Sequence, residues 1–337
     1  MWRPRVAWLR ELAQRPGLIL LYHRVARLPL DPWELSVSPE HFHEHLEVLR
    51  RCMTPVSLAR LAPRAPGDRM PRRAVAVTFD DGYLDNLDMA KPALERHDVP
   101  ATVFVASGAV AAGREFWWDE LEALLLTDRP LPRALRLAID GRERTWDLPV
   151  PDPNRKTTGW RAGSPPPSPR HTAFLEIWRA LRDSRPETRD ELLSELCAWA
   201  GGSRPRPSHR VLDEAHLRRL AEGKLIEIGA HSVTHSPLAA LPVEEQAREI
   251  RGSKTALEEM IGAPVMSFAY PFGGARDYGD DAARLVREAG FQRACAVSPR
   301  AVTARSDPYR LPRIAVTDCD GDRFAEIILR RASGHGA

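Results

Sequence analysis

The stretch Ala74-Val-Ala-Val-Thr-Phe-Asp-Asp-Gly-Tyr83 is a short apolar, β-branched run that stops at two adjacent acids and a glycine. Its length and composition suit a strand buried on both faces, with Asp80-Asp81-Gly82 turning the chain at its end. The same pattern recurs. Leu18–Tyr22 ends at His23, Ala101–Ala106 at Ser107-Gly108, Leu225–Ala230 at His231, Val265–Tyr270 at Pro271, and Arg293–Val297 at Ser298. Helical periodicity fills the intervals. Ser38-Pro39-Glu40 opens a capped helix to about Arg51, and Asn86–His97, Val243–Ile261 and Asp280–Ala289 repeat every 3.6 residues. Strand alternating with helix predicts an α/β fold built on a parallel sheet or barrel.

One region interrupts the rhythm. From Phe116 to His209 there is no strand–helix alternation. A helical patch at Asp119–Leu126 leads through Pro- and Arg-rich sequence to a longer helix at about Thr172–Trp199. The expected organisation is therefore residues 1–115 as the first part of the α/β domain, 116–209 as a helical, loop-rich insertion, and 210–337 as the remainder.

The 337 residues are 43% apolar and 28% charged, which are globular values. The 49 Lys and Arg against 46 Asp and Glu leave a formal charge of +3, too small an excess for a nucleic-acid partner. Cys52, Cys197, Cys295 and Cys319 are far apart, so neither a thiolate zinc site nor a disulfide framework is indicated. The longest apolar run near the N-terminus, Leu18–Tyr22, falls short of a secretory core or of the ~20 residues of a membrane span. The expectation is a cytoplasmic protein without an integral membrane segment, at most peripheral to a membrane.

Two motifs carry chemistry. His231-Ser-Val-Thr-His235 places two imidazoles at i and i+4, on one helical face or within one tight loop, where both can reach one cation. Asp80-Asp81 at a strand end is electrostatically costly unless one carboxylate meets a counter-charge such as a metal. One carboxylate and two imidazoles supply three protein donors, the number found in catalytic zinc sites that keep a position open for water and substrate. Such an ion activates water and polarises an amide carbonyl. His41, His43 and His45, spaced by two on a predicted helix, do not share one face and are not read as ligands.

Thr78–Tyr83 resembles the TFDDG motif of the polysaccharide deacetylase family (the NodB-like domain, carbohydrate esterase family 4), and His231–His235 is similar to its H-[ST]-x-x-H metal motif. The resemblance covers roughly residues 17–110 and 210–315. It implies a distorted (β/α) barrel of the NodB-like type, with Asp80 as general base and Asp81, His231 and His235 as ligands of a divalent metal, zinc by ligand type. The family's R-x-P-[YFW] motif corresponds to Phe268-Ala-Tyr-Pro-Phe272, where Ala269 stands in the arginine's place. Arg313 is the candidate to brace Asp80 instead. The Phe272 amide corresponds to the family's oxyanion donor, with Tyr270 and Tyr83 counted among the residues near substrate. The family's late Leu-x-His motif, source of the general acid, is missing after residue 291, but Leu21-Tyr22-His23 fits it at the other end of the chain. This implies a circularly permuted member with His23 as the acid.

Phe116-Trp-Trp-Asp119 opens the insertion, and Trp117, Trp118 and Asp119 suit sugar stacking and hydroxyl recognition. The expected activity is metal-dependent removal of N-acetyl groups from an amino-sugar in a poly- or oligosaccharide, or in its glycolipid precursor. Two rivals are hydrolysis of C–N bonds in small non-sugar amides, and a non-catalytic carbohydrate-binding relative, which the missing arginine suggests.

Overall fold

The computed structural model describes residues 16–62, 70–139, 141–150 and 159–332. Seven parallel strands form a closed barrel: β1 (Leu18–Tyr22), β2 (Ala74–Phe79), β3 (Ala101–Val105), β4 (Ile226–Ala230), β5 (Ser267–Ala269), β6 (Arg293–Val297) and β7 (Leu311–Ala315). Each pairs with the next in sequence, and β1 closes the ring by pairing with both β2 and β7. This is a (β/α) barrel of the NodB-like type.

Period-2 alternation sorts the strand residues into two layers. Ile19, Ala74, Ala76, Phe104, Ala269, Cys295 and Leu311 come from six different strands yet touch one another, so they fill the barrel interior. Their neighbours in sequence, among them Leu18, Leu20, Val75 and Val77, pack outward with helix residues such as Leu46 and Leu49. The interior is narrow. A Cβ on Gly229 would lie 2.4 Å from the Phe104 ring, so β4 has room for that ring only because residue 229 lacks a side chain.

Register then sets the site. Tyr22 is level with Phe79 across the β1–β2 pair, which brings His23 and Asp80 side by side just beyond the strands. Ala230 is level with Val105 and Phe268, so His231 emerges at the same C-terminal end of the barrel. Parallel α/β barrels present their functional groups at that end.

Among the surrounding helices are α1 (Pro39–Cys52), α2 (Lys91–His97), α3 (Val243–Ile261), α4 (Ala275–Glu288) and α5 (Gly321–Ala332). Helix α1 starts with Ser38 accepting a hydrogen bond from the His41 amide and with Pro39 in its first turn. Helix α2 is preceded by a π-type turn over Asn86–Ala90, so the expected Asn86–His97 helix is two geometries in series. In α4, Gly279 breaks the helical path (φ 69°), and the regular helix runs from there.

Contact density divides the chain into two compact units: 1–27, 35–111 and 212–337 form the barrel unit, and 28–34 with 112–211 form the second. The second unit departs from expectation in two respects. Ala134–Ile139 and Arg142–Asp147 pair as an antiparallel hairpin where no strands were expected. The single helix expected at 172–199 is two, Pro169–Asp183 and Pro186–Trp199. Pro186 has no amide hydrogen and disfavours a helical conformation at Arg185, which ends the first helix. In the barrel unit, β7 was not foreseen, because Pro312 sits inside it and proline argues against a central strand.

His45 links α1 to the chain end. Its Nε2–H donates to the Cys319 carbonyl (2.8 Å), Nδ1 accepts from the Tyr22 hydroxyl (3.2 Å), and the ring stacks on Phe324 of α5 at 3.9 Å. Burial lowers the imidazole to about 4. A depressed folded pKa means that neutral His45 stabilises the fold above the unfolded value near 6.5, and that this contribution is lost as pH falls through about 4. Denaturant titrations of wild type and His45→Gln across pH 7 to 4 should diverge, the wild type losing about 3 kcal/mol more than the variant. Parallel curves would contradict the assignment.

Candidate active site

At the mouth of the barrel, Asp80 and Asp81 are both 3% exposed. Two adjacent buried carboxylates need separate means of compensation. For Asp80 the partner is Arg313 of β7, itself fully buried, whose Nη1 and Nη2 donate to Oδ1 at 2.6 Å and Oδ2 at 2.7 Å. The same guanidinium reaches Thr78 Oγ1 at 3.3 Å and lies over the Phe104 ring at 5.3 Å. Burial drives the Asp80 carboxyl upward, but the Arg313 charge, His231 and the Arg313 hydrogen bonds outweigh it and bring the pKa down to about 2. Asp80 is therefore an anion at neutral pH. Ala269, which stands in the motif arginine's place, is buried on β5, and the arginine that reaches Asp80 comes from a different strand, β7.

Asp81 has a different environment. Its Oδ1 is buried and accepts no hydrogen bond from the described residues, and burial raises its pKa. Two imidazoles face it. His235 Nε2 is 3.2 Å and His231 Nε2 is 3.6 Å from Asp81 Oδ1. The His231 tautomer is set from behind: Nδ1 lies 2.8 Å from the Ala269 carbonyl, which can only accept, so Nδ1 carries the proton and Nε2 presents a lone pair. The candidate ligand atoms of Asp81, His231 and His235 all lie within 4.8 Å of one another. A carboxylate oxygen and imidazole nitrogens converging without a bridging donor fit a divalent cation.

The loops that present these groups are strained in a consistent way. Asp81 (φ 75°), Ser232 (φ 62°), His235 (φ 55°) and Phe272 (φ 61°) are four of the seven non-glycine residues with positive φ among the described residues. Such conformations cost of order 1–3 kcal/mol each and gather at functional sites. The His231–His235 segment is a loop, not a helix. Glu249 on α3 holds it, accepting from the Val233 and Thr234 amides (both 2.8 Å) and the Thr234 hydroxyl (2.9 Å). Nothing in the linear sequence marks Glu249 apart from an acid on a helix. Gly82 is required where it stands, because its φ is +88° and a Cβ would meet the Val105 side chain at 3.0 Å.

His23 is half-buried at the same barrel end. Desolvation lowers its pKa, opposed by the charges of Asp81 and Asp80, which places the imidazole within the field of both acids. The Phe272 ring meets His235 edge-on at 5.0 Å. The remaining sequence candidates lie elsewhere. Tyr270 is fully buried, stacked on Tyr278 at 4.1 Å with its hydroxyl donating to the Tyr309 carbonyl, so its side chain belongs to the core. Tyr83 is also fully buried, beneath the Arg24 guanidinium at 4.1 Å. Trp117 and Trp118 are 6% and 5% exposed and pack with Phe116 and Trp178 inside the second unit, not as an open stacking platform. Asp119 is buried there too. It brings a ligand-type oxygen within 4.8 Å of Glu122 and His209, and Arg206 pairs with Glu122 at 2.7 Å. Asp85, just beyond the turn, is held by Arg24 at 3.0 Å.

The family model described as polysaccharide deacetylase matches residues 67–127 and 201–294, the segments that carry Asp80, Asp81, His231 and His235. Over these two segments the chain is similar to that family. The break in the match, after residue 127 and before 201, falls within the second unit. YxkH of Bacillus subtilis (strain 168), named for the same family, is 28% identical over 109 residues, 31% of this chain and 37% of YxkH. The chain thus matches little more than a third of that relative's length. The deacetylase PplD of Streptococcus pyogenes superposes with a TM-score of 0.58 at 14% identity, over 94% of this chain and 98% of PplD. IcaB of Ammonifex degensii does so at 0.56 with 19% identity, over 93% and 97%. At such identities these likenesses speak for the fold of the deacetylase domain alone.

Replacing Arg313 by Met strands the Asp80 carboxylate in the barrel. The expected loss in urea unfolding is about 3–5 kcal/mol, with most of it recovered in Arg313→Met/Asp80→Asn, where neither charge remains. A double variant no more stable than the single one would show that the pair is not what stabilises this end of the barrel.

Proposed function

We propose that the chain is a metal-dependent hydrolase that removes N-acetyl groups from an amino-sugar of a poly- or oligosaccharide or its precursor. The observation that carries this reading is the division of labour between Asp80 and Asp81. One carboxylate is ionised and braced by Arg313, the other is turned toward two imidazoles with a buried, unbonded oxygen. A pure carbohydrate-binding protein has no use for a braced base beside a cation site.

Asp81, His231 and His235 would hold the cation, zinc by donor type. When bound, such an ion polarises the amide carbonyl and makes water more acidic. Asp80, kept anionic by Arg313, takes the proton of the attacking water. The Phe272 amide donates a hydrogen bond to the developing oxyanion. His23 delivers a proton to the sugar nitrogen, without which an amine is a poor leaving group, and acetate departs. Amino-sugar amides are favoured over small non-sugar amides because the domain family is that of the polysaccharide deacetylases.

Among the described residues no helix is long and apolar enough to cross a membrane.

Two variants separate metal holding from proton transfer. His231→Ala should lose bound zinc, measured by elemental analysis, together with acetate release from N-acetylglucosamine oligomers. Asp80→Asn should retain the zinc while kcat falls by about 10²–10⁴. Full turnover in His231→Ala, or in enzyme stripped of metal by a chelator, would refute the reading.

A further inference from the structure

His23 belongs to no regular strand. It is the single residue between β1 and the two-residue strand Arg24–Val25. The turn that carries Asp80 and Asp81 holds it from both sides. Before it, the Tyr22 carbonyl accepts from the Asp80 amide at 3.0 Å. After it, Asn86 Nδ2 donates to the His23 carbonyl at 2.9 Å and to Asp85 Oδ1 at 3.2 Å, so both protons of that amide are engaged. Asp85 in turn accepts from the next two residues: the Val25 amide at 3.1 Å through Oδ1, and Arg24 Nε at 3.0 Å through Oδ2. Arg24, 1% exposed, lies over the buried ring of Tyr83, a residue of the same turn.

We propose that Asn86 and Asp85 are positioning residues that lock the His23 backbone to the Asp80–Asp81 turn, so that proton donor and proton acceptor move as one body. The inference rests on the acid role of His23 in the reading above. The chemistry at each position is specific. A backbone carbonyl needs a donor, which Asn86 has and Asp at that position would lack. Asp85 faces only donors, among them a guanidinium, and needs all its acceptor sites, which Asn would halve. None of the four residues in the clamp, Arg24, Tyr83, Asp85 and Asn86, is a candidate metal ligand. A catalytic group displaced by about 1 Å can lose about 10²-fold in rate.

The test separates proton delivery from the rest of the site by choice of leaving group. Amide cleavage requires an acid, whereas 4-nitrophenyl acetate releases a stable phenolate without one. Asp85→Asn, Asn86→Asp and Asn86→Ala are assayed on N-acetylglucosamine oligomers and on the aryl ester, with bound zinc measured in each. The expected result is a fall in kcat of about 10–100-fold on the amide, with KM and zinc content unchanged and less than about 3-fold change on the ester. His23→Ala should show the same selectivity to a greater degree. Because Asn86 is fully buried and Asn86→Ala can misfold, the near-isosteric Asp85→Asn decides the matter. Equal losses on both substrates in Asp85→Asn, or wild-type amide turnover in it, overturn the clamp while His23→Ala remains selective. Undiminished amide turnover in His23→Ala overturns the acid assignment itself, and the clamp with it.

Discussion

Two neighbouring carboxylates held out of water at the mouth of a barrel are the constraint around which this domain is arranged. Left alone, each would resist ionisation and repel the other. Arg313 resolves one half of the problem with a bidentate pair at 2.6 and 2.7 Å, in a place where the guanidinium is itself fully buried. The other half is left open. Asp81 has a positive φ and faces His235, while His231 Nε2 lies 3.6 Å from a carboxylate oxygen of each acid. The asymmetry between two identical side chains follows entirely from which strand ends lie opposite them.

Barrel closure is what brings the partners into range. Because β1 pairs with both β2 and β7, residues near the start of the described chain and those beyond position 310 flank the Asp-Asp turn. His23 and Arg313, nearly three hundred residues apart, thus both lie at the Asp80–Asp81 turn, Arg313 paired with Asp80. A closed ring has no privileged first strand, so groups from both ends of the described chain can meet at one point of its rim.

What was legible in the linear chain was whatever local chemistry announces. Six of the seven barrel strands show as apolar runs, each with a polar or proline stop, and the Asp-Asp-Gly and His-x-x-x-His signatures are contiguous. The seventh strand was hidden by Pro312, which forfeits a ladder donor yet pairs with Ala296. The hairpin at 134–147 was hidden because its second strand, Arg142–Asp147, is nearly all polar and exposed, so no apolar run signals it. Glu249, Asp85 and Asn86 act through backbone amides and a carbonyl of distant loops, and a hydrogen bond between segments so far apart leaves no mark on spacing. Tyr270, Tyr83, Trp117 and Trp118 illustrate the converse. An aromatic beside a motif looks the same in sequence whether it faces substrate or core, and burial places all four in the core.

By itself, then, the sequence of this protein determined the α/β alternation, the strand ends at which polar groups appear, and the identity of the paired acids and imidazoles. These depend on residue type and on periods of two and 3.6, which are local quantities. Only the tertiary structure decided that Arg313 pairs with Asp80, that His235 lies against Asp81, and that the chain at His23 is hydrogen-bonded to the Asp80–Asp81 turn. Those outcomes depend on strand register and on closure of the ring, which place side chains a few ångströms apart irrespective of their distance along the chain.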